Sequence, residues 1–203
     1  MPTLTVLALH GFSRRPQHLT SFSEACRRRG WACVRPSLAP RWMPVLMNNR
    51  RHLDQVADRL VSSGRLTGPI VIVGHSAGAA AGSWMAPVMI GQGVDVRGLV
   101  YVDGNDSPNH LIEQAWPDLD ELAIRGVMAP PSPCNRQGRL SRYLQERRPG
   151  SVVVVPRAGH GDLEGRSSSV YRWACGDAGD PGTWHAVQLA TLDAIEDLDR
   201  RNR

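Results

Sequence analysis

The sequence predicts an α/β fold in which a six-stranded parallel sheet carries helices on both faces. Two observations lead to this prediction. Short apolar, β-branched runs alternate along the chain with longer segments whose apolar residues recur at helical spacing, and such alternation is typical of parallel sheets. The length of 203 residues suits one compact domain with its own core. We therefore assign residues 1–203 to a single domain.

The predicted strands are short apolar runs bounded by glycine, proline or polar residues. They are Thr3–Leu9, Trp31–Arg35, Ile70–Val73, Gly98–Val102, Ile124–Met128 and Ser151–Val155. The predicted helices lie between or after these runs. They are Leu19–Arg29, Arg50–Ser63, Ala79–Ile90, Gly138–Glu146 and Thr183–Leu198. The apolar stripe of the last helix predicts packing against the sheet rather than a surface that binds a partner.

The basic residues of this chain are all arginine, 24 in number, and the sequence contains no lysine. The absence of lysine excludes Schiff-base catalysis, lysine-bound pyridoxal phosphate and a P-loop lysine. The formal net charge is +5, but the arginines are scattered and no aromatic residues interleave with them, so we expect no nucleic-acid partner. We interpret most of them as a solvated surface with a bias toward an anionic substrate.

Hydropathy and the first residues of the sequence indicate the expected compartment. No stretch approaches the ~18 apolar residues of a membrane span, and Met1–Ala8 reads as a buried strand without a cleavage site. We therefore expect a soluble, cytoplasmic protein with no membrane partner.

Cys26 and Cys33 are interpreted as buried thiols, and a Cys134–Cys175 disulfide is possible because both cysteines lie in predicted loops.

The pattern G-x-S-x-G occurs at Gly74–Gly78, directly after the strand Ile70–Val73 and before a segment of small residues. A strand, a sharp turn and a tightly packed helix would expose the hydroxyl of Ser76 at the apex of the turn. The flanking glycines suit this turn because a side chain at either position would clash with the neighbouring strand or helix. We expect Ser76 to be a nucleophile.

A nucleophilic serine needs a histidine base and an oxyanion hole. His160 follows the last strand on a glycine-flanked loop. From there it can reach the turn at Ser76, here called the elbow, and we expect it to be the general base. We expect His10 and His75, beside glycines at strand ends, to hydrogen-bond locally. Gly11 lets the chain turn after the first strand, so the backbone N–H of Phe12 is an expected oxyanion donor. The N–H of Ala77, the residue after the nucleophile, is the other expected donor.

The third member of the site has three candidates. Asp103 ends the fourth predicted strand, Asp106 follows in the same loop, and Asn135 lies in the loop after the fifth strand. An aspartate at a strand end is well positioned to accept a hydrogen bond from histidine, so Asp103 is favoured. Asp162 is close to His160 in sequence, and we expect it to pin that loop.

These features together resemble the α/β-hydrolase superfamily over nearly the whole chain. The resemblance rests on His10-Gly11-Phe12, on Gly74–Gly78 and on Gly159-His160-Gly161, in this order and at strand ends. It implies a minimal α/β-hydrolase fold with a small lid or none, in which Ser76 is the nucleophile and His160 the base. The first two strands of the full fold are missing. The usual acid position after the penultimate strand holds Asn135, whereas Asp103 matches the position used by pancreatic-type lipases.

The expected function is that of a serine hydrolase, by default a carboxylesterase, that forms an acyl-enzyme on Ser76 from a small-molecule acyl ester, thioester or lactone. The alternative is a non-hydrolytic use of the scaffold, as an acyl transferase or a small-ligand receptor. Neither cofactor nor metal is expected. Trp42 and Trp116, on segments before and after the elbow, are candidate substrate-binding residues, although such apolar residues could equally be core beneath loops.

Overall fold

The computed structural model describes residues 3–164, 175 and 180–201. Its strands are β1 Thr5–Leu9, β2 Ala32–Val34, β3 Ile70–His75, β4 Val96–Val102, β5 Ile124–Met128 and β6 Val152–Val154. Within the described residues they form one sheet in the order β2-β1-β3-β4-β5-β6, and every neighbouring pair is parallel. The predicted six-stranded parallel sheet is therefore confirmed.

The helices lie where the apolar periodicity predicted them, with one addition. They are α1 Thr20–Arg28, α2 Arg50–Ser62, α3 Ala77–Gly91, α4 Leu111–Ala115, α5 Arg139–Arg147 and α6 Pro181–Arg201. Among the described helices, none combines the length and the apolar character that crossing a membrane requires. The short helix α4 is new: Leu111 and Ile112 are fully buried, so this segment packs as core.

Alternate residues of the strands pack on opposite faces of the sheet, which divides the core into two layers. Leu7 and Leu9 of β1 belong to a cluster with α2, α3, α4 and α5, whereas Val6 and Ala8 belong to a cluster with α1 and α6. Because helices cover both faces of the central strands, β1 and β3 are buried on both sides. This explains why these two strands appear in the sequence as continuous apolar runs.

The connections reverse direction at the centre of the sheet. The chain moves outward from β1 to β2, and then returns to add β3 on the other side of β1. The loops that follow β1 and β3 therefore diverge, which opens a crevice at the carboxyl ends of these two strands, where open α/β sheets commonly bind ligands.

The cysteines form one disulfide among the described residues. Cys134, in the loop after β5, is bonded to Cys175, and their Cα atoms are 5.1 Å apart. Cys26 and Cys33 are free thiols, on α1 and β2. The bond links the loop beside Asn135 to residue 175.

Candidate active site

Ser76 lies at the turn between β3 and α3 with a backbone conformation that is rare for a residue with a side chain, at φ 51° and ψ −122°. The flanking glycines permit this turn. A Cβ at Gly74 would lie 2.5 Å from the carbonyl oxygen of Gly78, and a Cβ at Gly78 would lie 2.5 Å from that of Leu9. Strained backbone of this kind clusters at functional sites because the surrounding packing maintains it.

Three buried side chains form a continuous hydrogen-bonded chain at this turn. His160 Nε2 lies 2.9 Å from Ser76 Oγ, and His160 Nδ1 lies 2.6 Å from Asp103 Oδ2. The carboxylate can only accept, so Nδ1–H donates to Asp103 and Nε2 is left to accept the proton of Ser76. The exposed fractions are 8% for Ser76, 4% for His160 and 4% for Asp103. Each residue follows a different strand, and the parallel sheet brings the three strand ends together.

Asp103 is held by the loop after β5. Its Oδ1 accepts hydrogen bonds from the backbone N–H of Ala129 and the side-chain amide of Asn135, each at 3.0 Å. The amide oxygen of Asn135 in turn accepts the backbone N–H groups of Ser132 and Gly138. Asn135 therefore contacts the carboxylate of Asp103 rather than His160, and its position is fixed by its own loop.

Asp106, the remaining acid candidate, belongs to a different cluster. Its Oδ1 accepts the backbone N–H groups of Ser107, in the same loop, and of Ile112, in α4. Ligand atoms of Asp106, His110 and Glu113 lie within 4.8 Å of one another, the kind of spacing that a metal site needs. Glu113 already pairs with Arg139 and with His110, however, so these contacts occupy much of the ligand set.

The two expected oxyanion donors belong to the loop after β1 and to the start of α3. Phe12 follows β1, and Ala77 begins α3. Within the described residues, neither N–H group makes a backbone hydrogen bond outside regular helix and sheet pairing. Gly11 brings the β1 loop close to the nucleophile: a Cβ there would lie only 3.2 Å from the Cβ of Ser76.

The two tryptophans expected to bind substrate have different surroundings. Trp42 is 78% exposed on the turn before α2. Trp116 packs edge-to-face on Tyr143 with ring centroids 5.1 Å apart and contacts the core. For Trp116, the alternative interpretation as core beneath a loop fits these contacts.

Two clefts adjoin the loops of the site. The first, here the β1 cleft, has a volume of about 180 Å³ and is lined by His10, Ser13, Arg14, Arg15, Ala39, Pro40, Arg41, Pro44 and Met47. The second, the β4 cleft, has a volume of only about 20 Å³ and is lined by Asn105, Asp106, Ile112, Glu113, Arg136, Arg139, Leu140 and Tyr143. The backbone N–H of Asn105 donates to the carbonyl of Ser76, so the β4 cleft begins beside the elbow.

A second buried cluster was missed by the sequence reasoning. His75, expected to hydrogen-bond locally, contacts Glu164, 89 residues away in sequence. The one available signal was an acid shortly after His160, but Asp162 shares that feature. Asp162 makes the local contact expected of it, accepting the N–H of Gly159 at 2.8 Å. Nothing in the spacing alone distinguishes the local acid from the long-range one.

No protein-family model and no curated protein sequence matches the chain. Solved structures do. A candidate hydrolase of the alpha/beta superfamily from Xanthomonas campestris pv. campestris is 18% identical with a TM-score of 0.60, and the match covers 96% of this chain and 99% of that one. The RedJ thioesterase of the prodiginine biosynthetic pathway in Streptomyces coelicolor is 16% identical with a TM-score of 0.59, covering 80% and 85%. Est1E from Butyrivibrio proteoclasticus is 13% identical with a TM-score of 0.57, covering 96% and 88%.

These likenesses extend over most or nearly all of each chain. Identities of this size establish a shared fold, and they leave the activity to be argued from the site. The chain has the α/β-hydrolase fold, in a small form without a large lid among its described residues, as its resemblance to that superfamily predicted.

Proposed function

We propose that this protein is a serine hydrolase that cleaves a carboxylic ester or thioester through an acyl-enzyme on Ser76. The observation that carries the proposal is the hydrogen-bonded chain from Ser76 through His160 to Asp103, buried at a strained turn. A serine hydroxyl at its ordinary pKa is a weak nucleophile, and an adjacent base oriented by a carboxylate is what activates it. The structurally similar RedJ thioesterase supports this reaction class.

In the proposed reaction, Ser76 Oγ attacks the acyl carbonyl carbon while His160 Nε2 takes the hydroxyl proton. The N–H groups of Phe12 and Ala77 stabilise the negative charge that develops on the carbonyl oxygen. His160 then returns the proton to the leaving alcohol or thiol, which departs and leaves the acyl-enzyme. A water molecule, deprotonated by His160, releases the acid and restores Ser76.

The charge of the β1 cleft supports a substrate with an anionic group. Arg14, Arg15 and Arg41 contribute to its wall, and no carboxylate is among the described residues that line it. Arg14 is paired with Glu164, which leaves Arg15 and Arg41 to attract a negative charge. His10 and Ser13, which flank Gly11 and Phe12 in the sequence, line this cleft. An anion bound in the cleft would therefore lie near the expected oxyanion donor Phe12.

The test is ester turnover by wild type, Ser76→Ala and the control Ser37→Ala, whose serine is exposed. The panel contains p-nitrophenyl esters of increasing chain length, together with the neutral valerate and the anionic monoglutarate. We expect Ser76→Ala to lower kcat/KM at least about a thousandfold, Ser37→Ala to match wild type, and the monoglutarate to be preferred, with a preference that weakens as salt is added.

Labelling by a fluorophosphonate probe separates the remaining outcomes. Labelling that depends on Ser76 without turnover of oxygen esters would direct the assignment to thioesters. A folded protein that neither turns over any ester nor reacts with the probe would contradict the hydrolase and favour a ligand receptor. Equal rates on the valerate and the monoglutarate would remove the anionic preference and leave the hydrolase intact.

A further inference from the structure

His75 lies immediately before the nucleophile and is completely buried. Its Nδ1 is 2.8 Å from Oε1 of Glu164, and its Nε2 is 2.6 Å from the carbonyl oxygen of His160. A carboxylate and a carbonyl oxygen are both acceptors, so both ring nitrogens must donate, and the ring that satisfies this geometry is an imidazolium. Burial alone would lower the pKa of His75, but the charge and hydrogen bond of Glu164 raise it above its ordinary value.

Glu164 follows His160 in the same loop and is also buried. Besides His75, its Oε1 accepts the backbone N–H of Gly11 at 2.8 Å, and its Oε2 pairs with the side chain of Arg14. Burial would raise the pKa of Glu164, but His75 and Arg14 together hold it well below its ordinary value. The carboxylate therefore stays charged in the range where the enzyme would work.

These contacts join the three loops that would supply the parts of the reaction. Gly11 precedes the expected oxyanion donor Phe12, His75 precedes the nucleophile, and the carbonyl that His75 holds belongs to the expected base His160. A hydrogen bond to a charged group is stronger than a neutral one, and a buried acceptor that loses its donor costs about 1–3 kcal/mol. Removing the charge of Glu164 or of His75 would therefore loosen all three loops together.

We propose that His75 and Glu164 are positioning residues, which hold the loops of the nucleophile, the base and the oxyanion hole in register without touching the substrate. This inference rests on the proposed function, because it assigns a role within that reaction. It adds a second histidine–carboxylate pair next to the first, with the rings of His75 and His160 5.2 Å apart.

The proposal implies an alkaline limb in the pH profile. When His75 loses a proton, either Glu164 or the carbonyl of His160 loses its donor, and the base is no longer held. The charged and titratable groups that face His75 are Glu164 and His160 from the loop after β6, Asp103 from the loop after β4, and His10 from the loop after β1. Arg14 acts on it through Glu164. His10 donates from Nδ1 to the carbonyl of Gly11 and accepts the N–H of Leu38 at Nε2, so it is neutral.

The experiment compares wild type with Glu164→Gln, Glu164→Ala and the surface control Glu196→Gln, using kcat and KM from pH 5 to 10 on the best ester of the panel. The glutamine variant retains an acceptor for Gly11 but loses the charge that keeps His75 protonated. We expect its alkaline limb to move to lower pH by about one unit or more and its kcat to fall by up to about a hundredfold. KM should change little, Glu164→Ala should fall further, and Glu196→Gln should match wild type.

A merely structural role for Glu164 would lower the melting temperature and leave the limb where it is in wild type. That result would overturn the proposal, as would a wild-type kcat that stays flat to pH 10, a measurement that needs no variant to fold. If wild type showed no turnover that depends on Ser76, the proposed function itself would fail.

A readout without substrate distinguishes the two failures. The downfield proton NMR signal of His160 Nδ1–H, hydrogen-bonded to Asp103, reports directly on the position of the base. We expect this signal to persist in Glu196→Gln and to shift and broaden in Glu164→Gln. An identical signal in both variants would contradict a positioning role, whether or not any ester is turned over.

Discussion

The carboxylate of Asp103 uses its two oxygens for two different tasks. Oδ2 faces His160, whereas Oδ1 accepts hydrogen bonds from Ala129 and Asn135. The positive φ of Asp103, 40°, turns it out of the strand toward the histidine. The site thus depends on a residue that bonds His160 directly and on an amide that holds this residue in place.

Asp103 bonds His160 directly, whereas Asn135 only holds Asp103. This difference leads to a prediction about one substitution at each position. Asp103→Asn keeps the shape but removes the charge and disturbs the tautomer of His160, so we expect kcat to fall about ten-thousandfold. Asn135→Ala removes one of the two donors to Oδ1 and should lower kcat only about tenfold. The measurement is kcat/KM on the preferred ester, with circular dichroism to confirm folding. If Asn135→Ala were the more damaging change, Asp103 would not be the acid.

Sequence reasoning could bring together residues that directly follow strands, and it could not place those whose neighbours depend on loop paths. Ser76, Asp103 and His160 end at the same edge because parallel strands have their carboxyl ends together. The positions of Trp42 and Trp116 depend on how long loops fold, which periodicity does not encode. The contact of His75 with Glu164 was equally inaccessible, because it joins the end of β3 to a loop residue 89 positions later.

At the scale of elements, the approach of α3 to the sheet depends on two glycines. A Cβ at Gly78 would lie 2.5 Å from the carbonyl oxygen of Leu9 and 2.8 Å from that of His10, both backbone atoms that cannot rotate away. At the other end of the same helix, a Cβ at Gly91 would meet nothing within 4 Å. One helix therefore contains a glycine that packing requires and another that it does not.

This contrast predicts opposite effects of the same substitution. Gly78→Ala should push α3 away from β1 and lower the free energy of unfolding by about 3 kcal/mol, with loss of turnover because Ser76 shifts with the helix. Gly91→Ala should leave the free energy unchanged or raise it by up to about 1 kcal/mol, because alanine has the higher helix propensity. Urea unfolding of both variants measures the difference. Equal stabilities would mean that the helix does not pack this closely.

At the scale of the whole molecule, strand order decides which loops meet. Since β1 and β3 are neighbours while β2 lies outside β1, the loops after β1, β3, β4 and β6 can converge above the centre of the sheet. Both histidine–carboxylate pairs connect the loop after β6 to the centre of the sheet: His160 reaches Asp103 after β4, and Glu164 reaches His75 at the end of β3. The loop after β6 is thereby fixed to the centre of the sheet, although β6 is an edge strand.

The buried pair formed by His75 and Glu164 should therefore affect the pH dependence of global stability. The folded-state pKa of Glu164 lies below its unfolded value, so its stabilisation is complete above about pH 4.3 and is lost as the pH falls. The folded-state pKa of His75 is raised, so its stabilisation is complete below about pH 6.5 and is lost as the pH rises through the folded value. The pair is therefore most stabilising near pH 5.

Urea unfolding of wild type and Glu164→Gln at pH 3, 5 and 9 tests this window. The difference in free energy of unfolding should be largest at pH 5. It should be smaller at pH 3, where Glu164 contributes less to stability, and smaller at pH 9, where His75 contributes less. The control Glu196→Gln removes an exposed partner of Arg29 and should give a small difference at every pH, since solvent weakens such pairs. A difference for Glu164→Gln that stayed constant from pH 3 to 9 would mean that the two groups are not ionised together in the folded protein, and the loop after β6 would then be held by packing rather than by charge.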